Sequence, residues 1–165
     1  MNTGNHGVVA RWDVPLSLVK LVAIVDDEQD ITTLFHHALR SISGIIIFAF
    51  TDPTLALEHF QENKDDYVLV ISDFNMPRLN GMELLKKMKD MKECVRTILM
   101  TAYDIEDTVF QDYRKEEIIN GFFQKPVRLT KLVDEVNTQL HSYEMPNGSS
   151  LQWHQISPCR MSAII

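Results

Sequence analysis

The stretch Val68-Leu69-Val70-Ile71-Ser72-Asp73-Phe74-Asn75-Met76-Pro77-Arg78-Leu79-Asn80-Gly81 limits most what this chain can fold into. Four apolar residues run into a single carboxylate, and a Pro and a Gly break the chain before helical spacing resumes. An apolar run without alternation fits a strand covered on both faces, as in a parallel sheet. Asp73 then stands at the carboxyl end of a central strand, where open α/β sheets form their ligand crevice. Taken alone, an Asp there is either a turn opener or a reacting group.

The same alternation of strand and helix extends along the chain. Leu21 to Val25 is a buried-strand run that ends in Asp26-Asp27-Glu28. Ile31, Leu34, Phe35, Ala38, Leu39 and Ile42 recur at helical spacing until Ser43-Gly44, and Ile45 to Phe50 reads as the second strand. Asp52-Pro53 predicts a helix start, with Asp as N-cap and Pro at the first position, running to about Asn63. After Gly81, Leu84, Leu85, Met88 and Met91 form a third helical stripe. Val95 to Met100 is the fourth strand, followed by Thr101-Ala102, and Ile105, Val109 and Tyr113 line a weaker fourth helix. Ile118 to Gln124 reads as the fifth strand, interrupted by Gly121 and ended by Lys125-Pro126. Leu129, Leu132, Val133, Val136 and Leu140 make the last stripe. Short connections and right-handed crossovers then predict an α/β fold: a doubly wound five-stranded parallel sheet with five helices on both faces. The expected organisation is a loose leader over 1–19, one folded domain over 20–142 and a polar, mobile tail over 143–165.

Charge narrows the partners. Lys+Arg 16 against Asp+Glu 23 leaves a net charge of −7, which repels nucleic-acid phosphates, so no direct nucleic-acid partner is expected. The tail after Ser142 is too short for a DNA-binding fold, so output is expected through protein contacts. Cys94 and Cys159 stand far apart with no ligand spacing, so neither a zinc site nor a disulfide is expected. No run approaches membrane-spanning length, and a cytoplasmic location without membrane contact is the expectation.

A parallel sheet brings its strand ends to one edge. Asp26 and Asp27 end the first strand, Asp73 the third, Thr101 the fourth and Lys125 the fifth. Strand order 2-1-3-4-5 would set the first, third and fourth side by side, with the fifth next. Three carboxylates that close repel one another, and a hard divalent cation relieves the repulsion. Mg²⁺ suits a site with few carboxylates and several waters. A metal, a Lys and a Thr hydroxyl around one Asp can hold a phosphoryl group that the Asp attacks.

These motifs resemble the receiver domain of two-component response regulators, of a stand-alone, chemotaxis-regulator-like type with a flavodoxin-like fold. The resembling residues are Val25-Asp26-Asp27-Glu28, Ser72-Asp73-Phe74-Asn75-Met76-Pro77, Asn80-Gly81-Met82-Glu83-Leu84-Leu85, Leu99-Met100-Thr101-Ala102-Tyr103 and Phe122-Phe123-Gln124-Lys125-Pro126-Val127. The resemblance implies that Asp73 is the phosphoacceptor and that Thr101 and Lys125 bind phosphate oxygens. It implies Mg²⁺ (or Mn²⁺) on Asp27, Asp73 and the Asn75 backbone carbonyl, with Asp26 acting mainly through bound water. It also implies a cis Lys125-Pro126 bond. The implied phosphodonor is a sensor histidine kinase or phosphotransfer protein, and the output partner is a downstream protein effector. The face of the fourth helix, fifth strand and fifth helix, including Tyr103, Ile105 and the switch residue Phe122, would bind that effector. The same face would serve a phosphorylation-dependent homodimer. Two positions depart from the usual pattern. Asn80 replaces a frequent Asp, and Phe122 replaces a frequent Tyr and so lacks its hydroxyl contacts.

Rival readings use the same residues. A phosphatase of the haloacid dehalogenase type also combines a nucleophilic Asp, a hydroxyl, a Lys and an acid pair. There the nucleophile comes first along the chain, whereas here the acid pair does, and Asn75 stands where such enzymes place an acid. A receiver-like adaptor that never takes phosphate would not need the full acceptor set. His36 and His37 point about 100° apart on a helix and cannot share a metal. His59 shows no partner in the sequence, and Lys86-Lys87-Met88-Lys89 reads as a solvated helix face.

Overall fold

A computed structural model of the chain describes residues 19–102, 111–113 and 115–145. The strands are β1 (Lys20–Val25), β2 (Ile45–Phe50), β3 (Tyr67–Asp73), β4 (Arg96–Thr101) and β5 (Gly121–Gln124). The helices are α1 (Gln29–Leu39), α2 (Pro53–Asn63), α3 (Gly81–Met91), α4, described over 111–113, and α5 (Leu129–Glu144). All strand pairs are parallel, and the order is β2-β1-β3-β4-β5.

Strand alternation divides the interior into two cores. Leu21, Ala23 and Val25 of β1, with Val70 and Leu99, face α2 and α3 through Phe60, Leu84, Leu85 and Met88. Val22 and Ile24, with Leu69, Ile71, Ile98 and Met100, face α1 and α5 through Phe35, Leu39, Leu132 and Val136. Every residue of β3 is buried, which explains why its sequence shows no polar alternation.

Local signals set the element ends. The Asp52 carboxylate accepts the Thr54 N–H at 2.8 Å, and Pro53 occupies the first turn of α2. Asn80 and Glu83 form a reciprocal capping box at α3. Gly44, at φ 80°, supplies the left-handed turn before β2. The first helix stops at Leu39, short of the expected Ile42, because the chain tightens into a turn in which the Ile42 N–H donates to Leu39 O.

The fifth strand begins at Gly121, not at the expected Ile118. The Ile118 N–H donates to Tyr113 O, and the Ile118 carbonyl accepts the Thr97 hydroxyl at 2.5 Å, so neither group joins the ladder. Asn120 then clasps the start of β4 by donating its N–H to Thr97 O and accepting the Thr97 N–H on Oδ1. Gly121 thus opens the strand it was expected to interrupt. A Cβ there would lie 2.6 Å from Glu135 Oε1.

The last helix runs to Glu144, two residues into the expected tail, because Tyr143 packs onto the second core. Residues 146–165 of the expected tail, nearly all of the leader, and the expected face residues Tyr103 and Ile105 lie outside the described residues. Three bland readings also change. His59 Nδ1 lies 2.8 Å from the hydroxyl of fully buried Tyr67. Lys89 is half-buried at its helix face, and desolvation lowers its ammonium to about 8. Cys94, in the turn before β4, is disulfide-bonded, although the cysteine spacing carries no pattern that predicts a bridge. Cys159 lies outside the described residues.

Candidate functional site

The chain turns from β2 on one side of β1 to β3 on the other, which opens a crevice at the carboxyl ends of β1 and β3. Asp26 follows β1 and Asp73 ends β3, so both acids stand at this switch point. One carboxylate oxygen from each of Asp26, Asp27 and Asp73 lies within 4.8 Å of the others. Asp26 is fully buried, Asp73 is 5% exposed and Asp27 is open to solvent.

Backbone bonds hold this trio. The Asp26 N–H donates to Phe50 O at 3.1 Å, and Asp26 Oδ1 accepts the Glu28 N–H at 3.0 Å. Asp73 Oδ2 accepts the Asn75 N–H at 2.9 Å, and the Ser72 hydroxyl donates to Asp73 O. The start of α3 presses directly on this carbonyl. A Cβ at Gly81 would sit 2.0 Å from Asp73 O, so only glycine fits.

Lys125 joins the acids from the far strand. Its Nζ lies 2.7 Å from Asp26 Oδ2 and 2.8 Å from Asp73 Oδ1. The Lys125 N–H donates to Thr101 O at 2.7 Å, which ties the end of β5 to β4; the Lys125-Pro126 bond is cis, as expected. Burial pushes the Asp73 carboxyl above its ordinary value and outweighs the pull of Lys125. Burial works to lower the Lys125 pKa, but its bonds to Asp26 and Asp73 win and hold the ammonium above its ordinary range. Lys125 therefore stays an ammonium shared by two buried carboxylates, which leaves the acid trio with negative charge to spare.

The structure brings Asp26, Asp27, Asp73 and Lys125 together at one sheet edge. Thr101 ends β4, buried, beside this crevice. Phe122 lies on β5 opposite Leu99 and packs, half-buried, against the first core. Asn75 is exposed at the mouth. Two contributors were missed. Glu28 Oε1 stands 3.8 Å from Lys125 Nζ, though the acid run containing it was noticed. Arg78 pairs with Asp52, which local sequence marked only as a helix cap.

Three carboxylate oxygens this close, two of them from buried groups, suit a hard divalent cation, so the residues present fit Mg²⁺. A parallel 2-1-3-4-5 sheet with acids and a lysine at its switch point defines a phosphoacceptor domain of the receiver class. Comparison with known proteins identifies the family. The model of the response regulator receiver domain matches residues 22–137. The chain is 31% identical over 119 residues to sporulation initiation phosphotransferase F of Bacillus subtilis, covering 72% of this chain and 92% of that protein. It is 32% identical over 87 residues to the alkaline phosphatase synthesis transcriptional regulatory protein PhoP of the same organism, spanning 53% of this chain and 35% of that one. A response regulator receiver domain protein from Clostridium thermocellum shares the fold, with a TM-score of 0.68 at 23% identity over 78% of this chain and 99% of that chain. The chain belongs to the response regulator receiver domain family of two-component systems. Receiver domains are phosphoacceptors served by histidine kinases or phosphotransfer proteins, and they signal without being enzymes in the ordinary sense.

Proposed function

We propose that this chain is a signalling switch in which Asp73 takes a phosphoryl group from a phosphohistidine of a sensor kinase or phosphotransfer protein. The observation that carries the reading is Lys125 Nζ held between Asp26 and Asp73 within the acid trio. The folded unit of the switch spans 20–144, two residues beyond the expected boundary at 142. It operates in the cytoplasm, where ATP-charged kinase domains present their phosphohistidine.

In the transfer, an Asp73 carboxylate oxygen bonds to phosphorus as the P–N bond breaks. The leaving imidazole nitrogen keeps the bonding pair and takes a proton as the donor histidine is restored. The Asn75 N–H orients the attacking carboxylate through Oδ2. Lys125 follows the negative charge from Asp73 onto the phosphoryl oxygens, while Thr101 donates its hydroxyl there. Asp26, Asp27, Asp73 and the Asn75 carbonyl would hold Mg²⁺ or Mn²⁺, which supplies further neutralisation of the phosphoryl oxygens. Water attack on the same phosphorus returns the carboxylate.

Output follows from the new charge. Each added charge-assisted hydrogen bond offers roughly 1.5–3 kcal/mol, enough to bias a local two-state element and too little to refold the domain. Movement of Thr101 toward phosphate leaves room for the Phe122 ring to turn inward. That remodels the face of α4, β5 and α5 for a protein effector or a second copy of the chain. The test is intact mass after incubation with acetyl phosphate and Mg²⁺. Uptake of one phosphoryl group is expected in the parent and none in Asp73→Asn. Steady turnover of p-nitrophenyl phosphate would instead favour a phosphatase, and no uptake at all would leave a receiver-like adaptor.

A further inference from the structure

Arg78 lies in the loop from Asp73 to α3 at φ 72°, a left-handed backbone that costs a side-chain-bearing residue and that glycine adopts freely. Its guanidinium donates through Nη1 to Asp52 Oδ2 at 2.5 Å, even though the Arg78 side chain is 70% exposed. Asp52 is itself fixed, because its other oxygen caps α2 through the Thr54 N–H. That N–H, and after it the Arg78 charge, hold the Asp52 carboxyl below its ordinary value. Two residues earlier, Phe50 O receives the Asp26 N–H. The turn between β2 and α2 thus reaches both halves of the acid site, Asp26 through Phe50 and the loop after Asp73 through Arg78.

The loop has further anchors, among them the Leu79 N–H, which donates to Pro77 O at 2.9 Å across Arg78 itself, and Leu79, which packs on the first core. The Gly81 N–H donates to Phe74 O at 2.9 Å and closes its base, and Met76 is buried in the first core. Arg78 is the outer anchor. Released from Asp52, a non-glycine residue at 78 would be held at positive φ only by the local Leu79 N–H to Pro77 O bond, and relaxing toward negative φ would turn the chain on its Asn75 side. The Asn75 N–H would then lose its alignment with Asp73 Oδ2.

We propose that the Asp52–Arg78 pair is a positioning clamp that holds Arg78 in its left-handed backbone, keeps Asn75 aligned with Asp73 and thereby sets the affinity of the acid site for a divalent cation. Its effect on the rate of phosphoryl uptake rests on the function proposed above. Arg78 and Asp52 lie outside the acid trio, and their effect on it runs through Asn75.

The discriminating comparison is Arg78→Ala against Arg78→Gly, with Asp52→Asn, the double variant Asp52→Asn/Arg78→Ala, and Arg78→Lys. Mg²⁺ affinity is measured by calorimetry, the Asn75 amide resonance is followed in metal-free protein, and thermal stability is recorded alongside. Arg78→Ala and Asp52→Asn should each weaken Mg²⁺ binding about tenfold, the order found when residues that orient metal ligands are removed. The double variant should lose no more than either single one, since both break one interaction. Arg78→Gly removes the pair and the backbone penalty together and should bind Mg²⁺ nearly as the parent does. Arg78→Lys should recover part of the loss. The Asn75 resonance should move in Arg78→Ala and stay in Arg78→Gly. Unchanged Mg²⁺ affinity in Arg78→Ala, equal losses in Arg78→Ala and Arg78→Gly, or a parent that binds no Mg²⁺ would overturn the clamp. A parent that shows the Mg²⁺ pattern yet takes no phosphate would refute the proposed function and leave the clamp standing.

Discussion

Lys125→Met removes the ammonium that, among the described residues, contacts both buried acids, and leaves a side chain of similar length. In metal-free protein the variant must either keep Asp26 and Asp73 as unpaired anions or protonate one of them. Removing one partner of a buried ion pair costs about 3–5 kcal/mol, because the remaining charge stays desolvated. Here the crevice opens to water on the Asp27 side and Lys125 is 16% exposed, so the lower end applies, about 3 kcal/mol at neutral pH. The deficit must depend on pH. Burial already raises the Asp73 carboxyl in the parent. A carboxyl whose folded pKa exceeds its unfolded value stabilises the fold below the unfolded pKa and loses that contribution as pH rises through the folded one. Without the ammonium the folded pKa rises further, so the deficit should be smaller at pH 5 than at pH 8. The assay is urea denaturation in EDTA at both values, followed by circular dichroism, and then with Mg²⁺ added. Mg²⁺ should restore more stability to the variant than to the parent, since it replaces the missing cation. A loss under about 1 kcal/mol with no pH dependence, against the 3 kcal/mol expected of a broken buried pair, would refute the counterion role.

Gly81→Ala places a methyl 2.0 Å from Asp73 O and 3.0 Å from Phe74 Cα, both backbone atoms that cannot rotate away. It should cost about 2–3 kcal/mol by denaturation and impair phosphate uptake, because α3 must back away from Asp73. Asn80→Ala removes the capping box at α3 and should cost about 1 kcal/mol in the same assay. Mg²⁺ should raise the melting temperature of the parent, and the gain should largely vanish in Asp27→Ala, whose exposed carboxylate contributes little to the metal-free fold. A beryllofluoride phosphate mimic should alter amide exchange over residues 101–125, Phe122 included. Changes confined to α1 and α2 would contradict the proposed output face.

The strands read well from sequence because the first four hold apolar runs that end in, or are followed by, a polar residue, and the parallel direction follows from the alternation with helices. The acid site was equally readable. Asp73 and Thr101 end their strands and Asp26, Asp27 and Lys125 directly follow theirs, and a parallel sheet leaves them no other edge. What was misread depends on contacts distant in sequence. Ile118 and Ile119 have strand-like side chains, but their backbone groups are taken by Tyr113 and Thr97. His59 meets Tyr67 only because α2 lies over the sheet. The Asp52–Arg78 pair joins two loops 26 residues apart, and the left-handed backbone at Arg78 has no signature in a residue type that ordinarily avoids it.

The most direct measurement of the central claim is chemical mapping of the phosphorylated residue. Protein treated with acetyl phosphate and Mg²⁺ is reduced with borohydride, which delivers hydride to an acyl phosphate, expels phosphate and converts the aspartate to homoserine. Peptide mass analysis should find homoserine at position 73 and nowhere else, and none in Asp73→Asn. Homoserine at position 26 or 27, or phosphate retained through reduction, would contradict the assignment of Asp73 as the acceptor.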